Sequence, residues 1–272
     1  MADDHEPGRL ISQRINAERL VLFGWSRALL MQLAHPLLAA GVADHSTFRS
    51  GPFTAARRLH HTVRAMLSLT FGSDARRVEA SDTIRAIHRR VNGTLRSSVG
   101  PFPAGTRYSA EDPDLVLWVH ATLLESIPAA YELLVAPLSP EERDTYCQEA
   151  FSVAVDLGAD PARVPTTMIG MRSYVDAMLR SGVLAIGDDA RALANAVLVP
   201  PLRFVTGPVA RANYTLAIGL LPASLRAAYG FTWTEDDARR FERNVRTLRR
   251  LHRRMPSFAA LWPEARVSKA DR

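Results

Sequence analysis

Helical spacing runs through almost the whole chain. Apolar residues recur three and four positions apart in segment after segment, and no run alternates apolar with polar as a half-buried strand must. The spacing predicts helices over Ser12–Ala34, Pro36–Ala43, Thr54–Leu69, Asp74–Val91, Pro113–Val135, Ser139–Leu157, Thr166–Ser181, Asp188–Val199, Val209–Leu220 and Thr234–Arg254. Start signals agree: Ser139-Pro140-Glu141-Glu142 sets a cap, a first-turn proline and a capping-box glutamate in order, and Thr234 with Asp237 repeats the pattern. The fold class expected is all-α, one multi-helix domain over residues 1–272 with flexible tails at about 1–10 and 262–272. Asn92–Asp112, rich in glycine and proline, and the Pro200-Pro201 to Pro208 segment read as loops. Pro200-Pro201 is a weaker candidate boundary, which would make the last third a separate helical layer.

Several function classes are disfavoured by what the chain lacks. Its formal charge of +6 is carried almost wholly by arginine, since Lys269 is its one lysine. A phosphate-cradling loop and a Schiff-base pocket each need a lysine that is not there. The single cysteine, Cys147, excludes a disulfide framework and a Cys-rich metal site, and fits a reducing compartment. No export signal follows Met1–Pro7, so the expected location is cytoplasmic. Leu20–Ala43 is apolar, yet Arg27, Gln32, His35 and Pro36 interrupt it and Asp44 bounds it. It reads as a buried helix with a break at Pro36, and membrane contact would be peripheral. Glu-x-x-His, His-Glu-x-x-His, Gly-x-Gly-x-x-Gly and Gly-x-Ser-x-Gly are all absent, which disfavours di-iron, zinc, dinucleotide and serine-hydrolase sites.

Histidines in apolar helices remain. His88 shares a stripe with Ile84, Ile87 and Val91 and so projects from or beside a core-facing surface. One imidazole suffices where a porphyrin supplies four nitrogens to an iron; by spacing alone, a core histidine bonded to a carbonyl is the stronger reading. On the preceding helix, Leu59, Val63, Met66, Leu67 and Thr70 form a packing stripe. Beside it Arg58, Thr62, Ala65 and Leu69 place a charge and a hydroxyl above small and apolar residues. That strip suits an anionic head on an apolar body, such as a haem propionate; a surface arginine beside a back-bonded threonine is the plainer alternative. His61 lies further round the same helix. His120 reads chiefly as a hydrogen-bonded core residue, with an iron ligand as the minor alternative, His35 as a capping residue, His45 as a loop pin, and His5, His60 and His252 as solvent-facing. The last long helix carries Arg239, Arg240, Arg243, Arg246, Arg249, Arg250, Arg253 and Arg254 around Phe241, Val245, Leu248 and Leu251. Such a helix suits an anionic membrane surface or nucleic acid; a solvated face is commoner, and no DNA-reading motif accompanies it.

These positions also form an ordered pattern. Gln32-Leu33-Ala34-His35-Pro36, then Gly41-Val42-Ala43-Asp44-His45-Ser46-x-Phe48, Arg58-Leu59-x-x-Thr62, His88-x-x-Val91-x-Gly93, Tyr108-x-Ala110 and Trp118-Val119-His120-Ala121-Thr122-Leu123 follow one another. Together they resemble the catalytic domain shared by latex clearing protein (rubber oxygenase) and the oxygenase MpaB, with matches in order from about Leu20 to Tyr174. The resemblance implies an all-α domain enclosing haem b, with His88 matching the axial iron ligand and Arg58 and Thr62 matching the residues that support the cofactor. A lysine stands before that threonine in rubber oxygenases, and His61 stands there in this chain. The implied activity is that of a haem-dependent oxygenase using O2 on a small apolar, isoprenoid-like substrate. His61 would orient oxygen, exchange a proton or ligate the iron, and Arg58 would neutralise a propionate. An electron donor is a further candidate partner, and nucleic acid is not expected. A haem protein without oxygenase turnover and a haem-free helical interaction protein are the alternatives.

Overall fold

A computed structural model describes residues 10–45, 52–198 and 207–267, with the side chains of 52–60 and 267 outside the described set. Its helices are α1 (Ile11–Asn16), α2 (Leu22–Leu33), α3 (Pro36–His45), α4 (Pro52–Phe71), α5 (Asp74–His88), α6 (Pro113–Leu134) and α7 (Pro140–Asp156), followed by α8 (Met168–Arg180), α9 (Asp188–Leu198), α10 (Gly207–Leu220), α11 (Ala223–Tyr229), α12 (Glu235–His252), α13 (Ser257–Ala260) and α14 (Pro263–Val267). The all-α class holds. Both expected capping boxes form, Ser139 with Glu142 and Thr234 with Asp237. α1 lacks a cap of its own, and Glu149 of α7 accepts from the free backbone N–H groups of Ile11 and Ser12 at 3.0 and 2.6 Å.

The structure corrects the sequence reading in three places. The helix expected over Ser12–Ala34 is broken into α1, a 3-10 turn over Arg19–Val21, and α2. The break is held from the far end of the chain. Trp262 donates its N–H to Ala17 O (3.0 Å), Glu18 bridges Leu261, and His252 Nε2 lies 2.8 Å from the Glu18 carboxylate. The Arg19 guanidinium also rests 5.1 Å over the Trp262 ring. Residues 262–267 are consequently packed rather than a free tail, with Ala265 buried, and His252 is turned inward rather than to solvent. Within the Asn92–Asp112 loop, β1 (Asn92–Thr94) and β2 (Arg107–Ser109) pair antiparallel with Gly93 opposite Tyr108. Strands of three residues are too short for alternation to register in a sequence. The short helices α11, α13 and α14 were not anticipated. Most of the Pro200–Pro208 loop falls outside the described residues, and α10 already begins at Gly207.

α6 is the axis of the core. It is apolar nearly all round, and Leu117, Trp118, Ala121, Ile127 and Leu134 along it are almost fully buried. α2 makes the most extensive pairing with it, α7 and α8 pack on other sides, and α9, α10 and α12 complete the layer around α2 and α6. Close approach depends on Gly24, where a Cβ would come within 2.5 Å of Ser126 O. One turn on, the buried Arg27 joins three helices: Nε donates to Leu220 O at 2.8 Å, Nη1 donates to Ser126 Oγ at 2.6 Å, and Nη2 lies 2.8 Å from Glu125. The main buried cluster draws on residues from Ile15 to Tyr229, whose hydroxyl donates to Leu30 O at 2.8 Å. α4 and α5 form a helical pair turning at Gly72-Ser73. α4 packs on α1 and α14, whereas α5 packs chiefly on α4.

Removing one partner of a buried ion pair strands the other charge. Arg27→Met should therefore lower unfolding free energy by on the order of 3 kcal/mol in urea denaturation, with Arg27→Met/Glu125→Gln recovering part of the loss. An unchanged midpoint in the single variant would contradict the role given to Arg27.

Candidate functional site

Part of the ordered sequence pattern, Asp44, His45, Val91, Gly93 and Tyr108, comes together just past the end of α5. Past His88 the chain enters the β1–β2 hairpin, which is fastened to the C-terminal end of α3. Asp44 Oδ2 accepts from the Tyr108 hydroxyl at 2.7 Å, and Asp44 Oδ1 pairs with Arg96. His45 Nε2 lies 3.0 Å from Asn92 O, an acceptor, so it is the protonated ring nitrogen. Ala110 N donates to Val91 O at 2.9 Å and closes the base of the hairpin. Gly93 is required here, because a Cβ would meet the Tyr108 hydroxyl oxygen at 2.5 Å. Burial and the Asp44 carboxylate push the Tyr108 phenol above its ordinary pKa, so it stays a donor. The loop-pinning role expected of His45 is what the geometry shows.

His88 stands at the end of the helix that this clamp holds. It is half-buried, and its Nδ1 is enclosed without a hydrogen-bond partner. Burial lowers its pKa and the nearby Glu111 partly offsets that, which leaves a neutral imidazole at pH 7. A neutral ring with an uncommitted buried nitrogen fits an axial ligand to a metal centre held mainly by other donors. Among the described residues no three His, Cys, Asp or Glu side chains gather as a protein-only metal set, whereas a porphyrin brings four nitrogens of its own. The expected apolar stripe is only partly inward: Ile84 and Val91 are half-buried, but Ile87 is 56% exposed. α5 packs chiefly on α4, so no second layer covers Ile87.

Two other histidines differ from expectation. His35 is buried against Phe102, with ring centroids 5.4 Å apart, and its Nδ1 is unpartnered, so it caps nothing through its side chain. Burial lowers its pKa to about 4 against the opposing pull of Asp112. His120 is buried as predicted, but its Nε2 has no hydrogen-bond partner, and burial alone lowers its pKa to about 4.

On α4 the Arg58 side chain lies outside the described residues, as do those of Leu59 and His60. His61 and Thr62 are described, and both are exposed. The structure thus places His61, Thr62 and His88 on two neighbouring helices without drawing His61 or Thr62 into an enclosed space with His88. The packing stripe behaves as expected. Val63 and Leu67 are buried, and with Met66 and Thr70 they line a small crevice of about 10 Å³, partly open to solvent, against Trp25 and Trp262. The Asp44–Tyr108–Arg96 fastening received no role from the sequence, because the Gly93–Tyr108 pairing that exposes it depends on hairpin register. His35 reads as a cap in the sequence because Pro36 follows it, and its packing against Phe102 depends on the loop before α6.

The catalytic-domain family described as ER-bound oxygenase mpaB/B'/rubber oxygenase matches residues 13–250. A protein of Mycobacterium bovis, uncharacterized protein Mb2261, is 28% identical over 248 residues, covering 86% of this chain and 89% of its own. Uncharacterized protein Rv2237 of Mycobacterium tuberculosis matches with the same identity and coverage. No solved structure matches at a significant level.

The buried histidines carry a pH signature. The unfolded chain binds protons at His35 and His120 near the ordinary 6.5, whereas the folded chain resists until about 4. Their neutrality therefore supports the fold fully above 6.5, and that support is lost as pH falls toward 4. Urea midpoints measured between these pH values should decline, and His120→Leu should flatten part of the slope. Equal slopes in wild type and variant would show that His120 is not held neutral by burial.

Proposed function

The chain belongs to the mpaB/rubber oxygenase catalytic-domain family, and on that premise we propose that it is a haem b-dependent oxygenase acting with O2 on a small apolar, isoprenoid-like substrate. The observation that carries this reading is His88. It occupies the position that matches the family's axial ligand, it is neutral, and its buried Nδ1 has no partner. Haem b, when bound, supplies an iron centre capable of O2 chemistry.

The chain's residues divide the remaining work. His88 offers the ring nitrogen that fixes the cofactor to the end of α5. The hairpin clamp through Asp44, Tyr108 and His45 sets where that end lies, so the ligand is placed by rigid contacts rather than by a free loop. Arg58 would offset the charge of a propionate, and Thr62 would offer it a hydroxyl. His61, exposed next to Thr62 on α4, would orient oxygen or move a proton. Ile87, exposed beside His88, supplies apolar surface suited to a hydrocarbon ligand.

An oxygenase must keep a position open on its iron. The reduced holoprotein should bind carbon monoxide with a shifted Soret band and consume O2 in the presence of a short polyisoprenoid alkene. His61→Ala should retain haem and lose about 100-fold in O2 uptake rate, the scale for a positioned proton-transfer group. Failure of the wild type to bind carbon monoxide would contradict oxygenase turnover and favour two histidine ligands on the iron. Unchanged uptake in His61→Ala would remove that residue from the chemistry.

A further inference from the structure

α12 turns an arginine stripe outward. Arg239, Arg243, Arg246, Arg250 and Arg253 are spaced four, three, four and three residues apart, which puts them on one face over about 20 Å of helix. The opposite face is fixed against the protein: Val245 is buried, Phe241 packs beside Gly219 and Trp233, and His252 holds Glu18. Two of these charges are locally answered, Arg239 by Glu235 and Asp236 and Arg246 by Glu242. Arg243 in the middle of the helix and Arg250, Arg253 and Arg254 at its C-terminal end are exposed and have no acidic partner among the described residues. At that same end Leu251 is 53% exposed, and Phe258 on the following α13 is 63% exposed.

We propose that this end of α12, with Leu251 and Phe258, docks the protein on the surface of an anionic phospholipid bilayer. Guanidinium groups complement lipid phosphates, and each basic side chain held near such a surface contributes to binding. The exposed leucine and phenylalanine decide between anionic partners. Alkyl and aromatic groups beside a basic face gain by entering the boundary between headgroups and acyl chains, whereas tracking a nucleic-acid backbone makes no use of an exposed leucine. Among the described residues no helix is long and apolar enough to cross a membrane, so the attachment is to one face. The proposal stands without reference to the bound cofactor.

Co-sedimentation of the full chain with vesicles tests it. Vesicles of phosphatidylcholine with about a third phosphatidylglycerol should bind the protein, those of phosphatidylcholine alone should bind it far less, and raised salt should weaken the difference. Arg243→Gln/Arg250→Gln/Arg253→Gln should lower the partition coefficient about 100-fold, roughly fivefold per arginine, with an unchanged urea midpoint. Leu251→Ser/Phe258→Ser should keep the low-salt binding and lose what persists at high salt. Three results would overturn the proposal: binding that ignores lipid charge, a triple variant that binds like wild type, or tighter binding to a short DNA duplex that the Leu251/Phe258 change leaves untouched.

Discussion

Everything in this molecule is arranged around the contact between α2 and α6. Gly24 allows the two backbones to approach until no side chain would fit between them, and Arg27 then ties α2 to Ser126 and Glu125 on α6 and to Leu220 at the end of α10. A buried guanidinium is costly unless its donors are used, and here they are used on two neighbouring helices at once. That spends specificity rather than area: an apolar residue would fill the space but would not fix the rotation of α2 against α6. With that pair set, α7 and α8 close one side and α9, α10 and α12 the other.

The functional region stands at the margin of this core. α5 gains little from it and leans on α4, and the α4–α5 pair reaches the rest through α1 and α14. What orients the end of α5 is the hairpin after it, clasped by Asp44 and His45 of α3. α3 in turn rests on α2 and α9, so the rigidity of the central pair is passed to His88 through α3 and the hairpin. This separates the two demands on the chain. The core is packed tightly, whereas α5 keeps one side, marked by Ile87, exposed.

Much of this was legible in the residues, and what was not has physical causes. Long periodic helices and their caps were readable because each signal is local: Ser139 with Glu142 and Thr234 with Asp237 fall where the hydrogen bonds form. The break between α1 and α2 was invisible, since Trp262 and His252, more than two hundred residues away, hold Ala17 and Glu18 out of the helix. The same distance hid the inward turn of His252. Burial of His120 followed from an apolar surround, but its missing hydrogen bond did not, because that depends on which acceptors neighbouring helices bring. The stripe around His88 overstated burial at Ile87, since spacing gives the face of a helix and not whether another layer covers it. Asp44, Gly93 and Tyr108 stood in the ordered pattern, yet their joint task appears only when the hairpin places Gly93 opposite Tyr108.

The central claim is that one imidazole at the end of α5 carries a porphyrin iron. Haem content, measured on protein expressed with ample iron and haem precursor, tests it most directly when wild type and His88→Ala are compared. The account predicts a Soret band and about one haem per chain in the wild type, and loss of both in the variant with its helical circular dichroism intact. A wild-type protein that is colourless and takes up no added hemin, or a variant that keeps full haem and an unchanged spectrum, would contradict it.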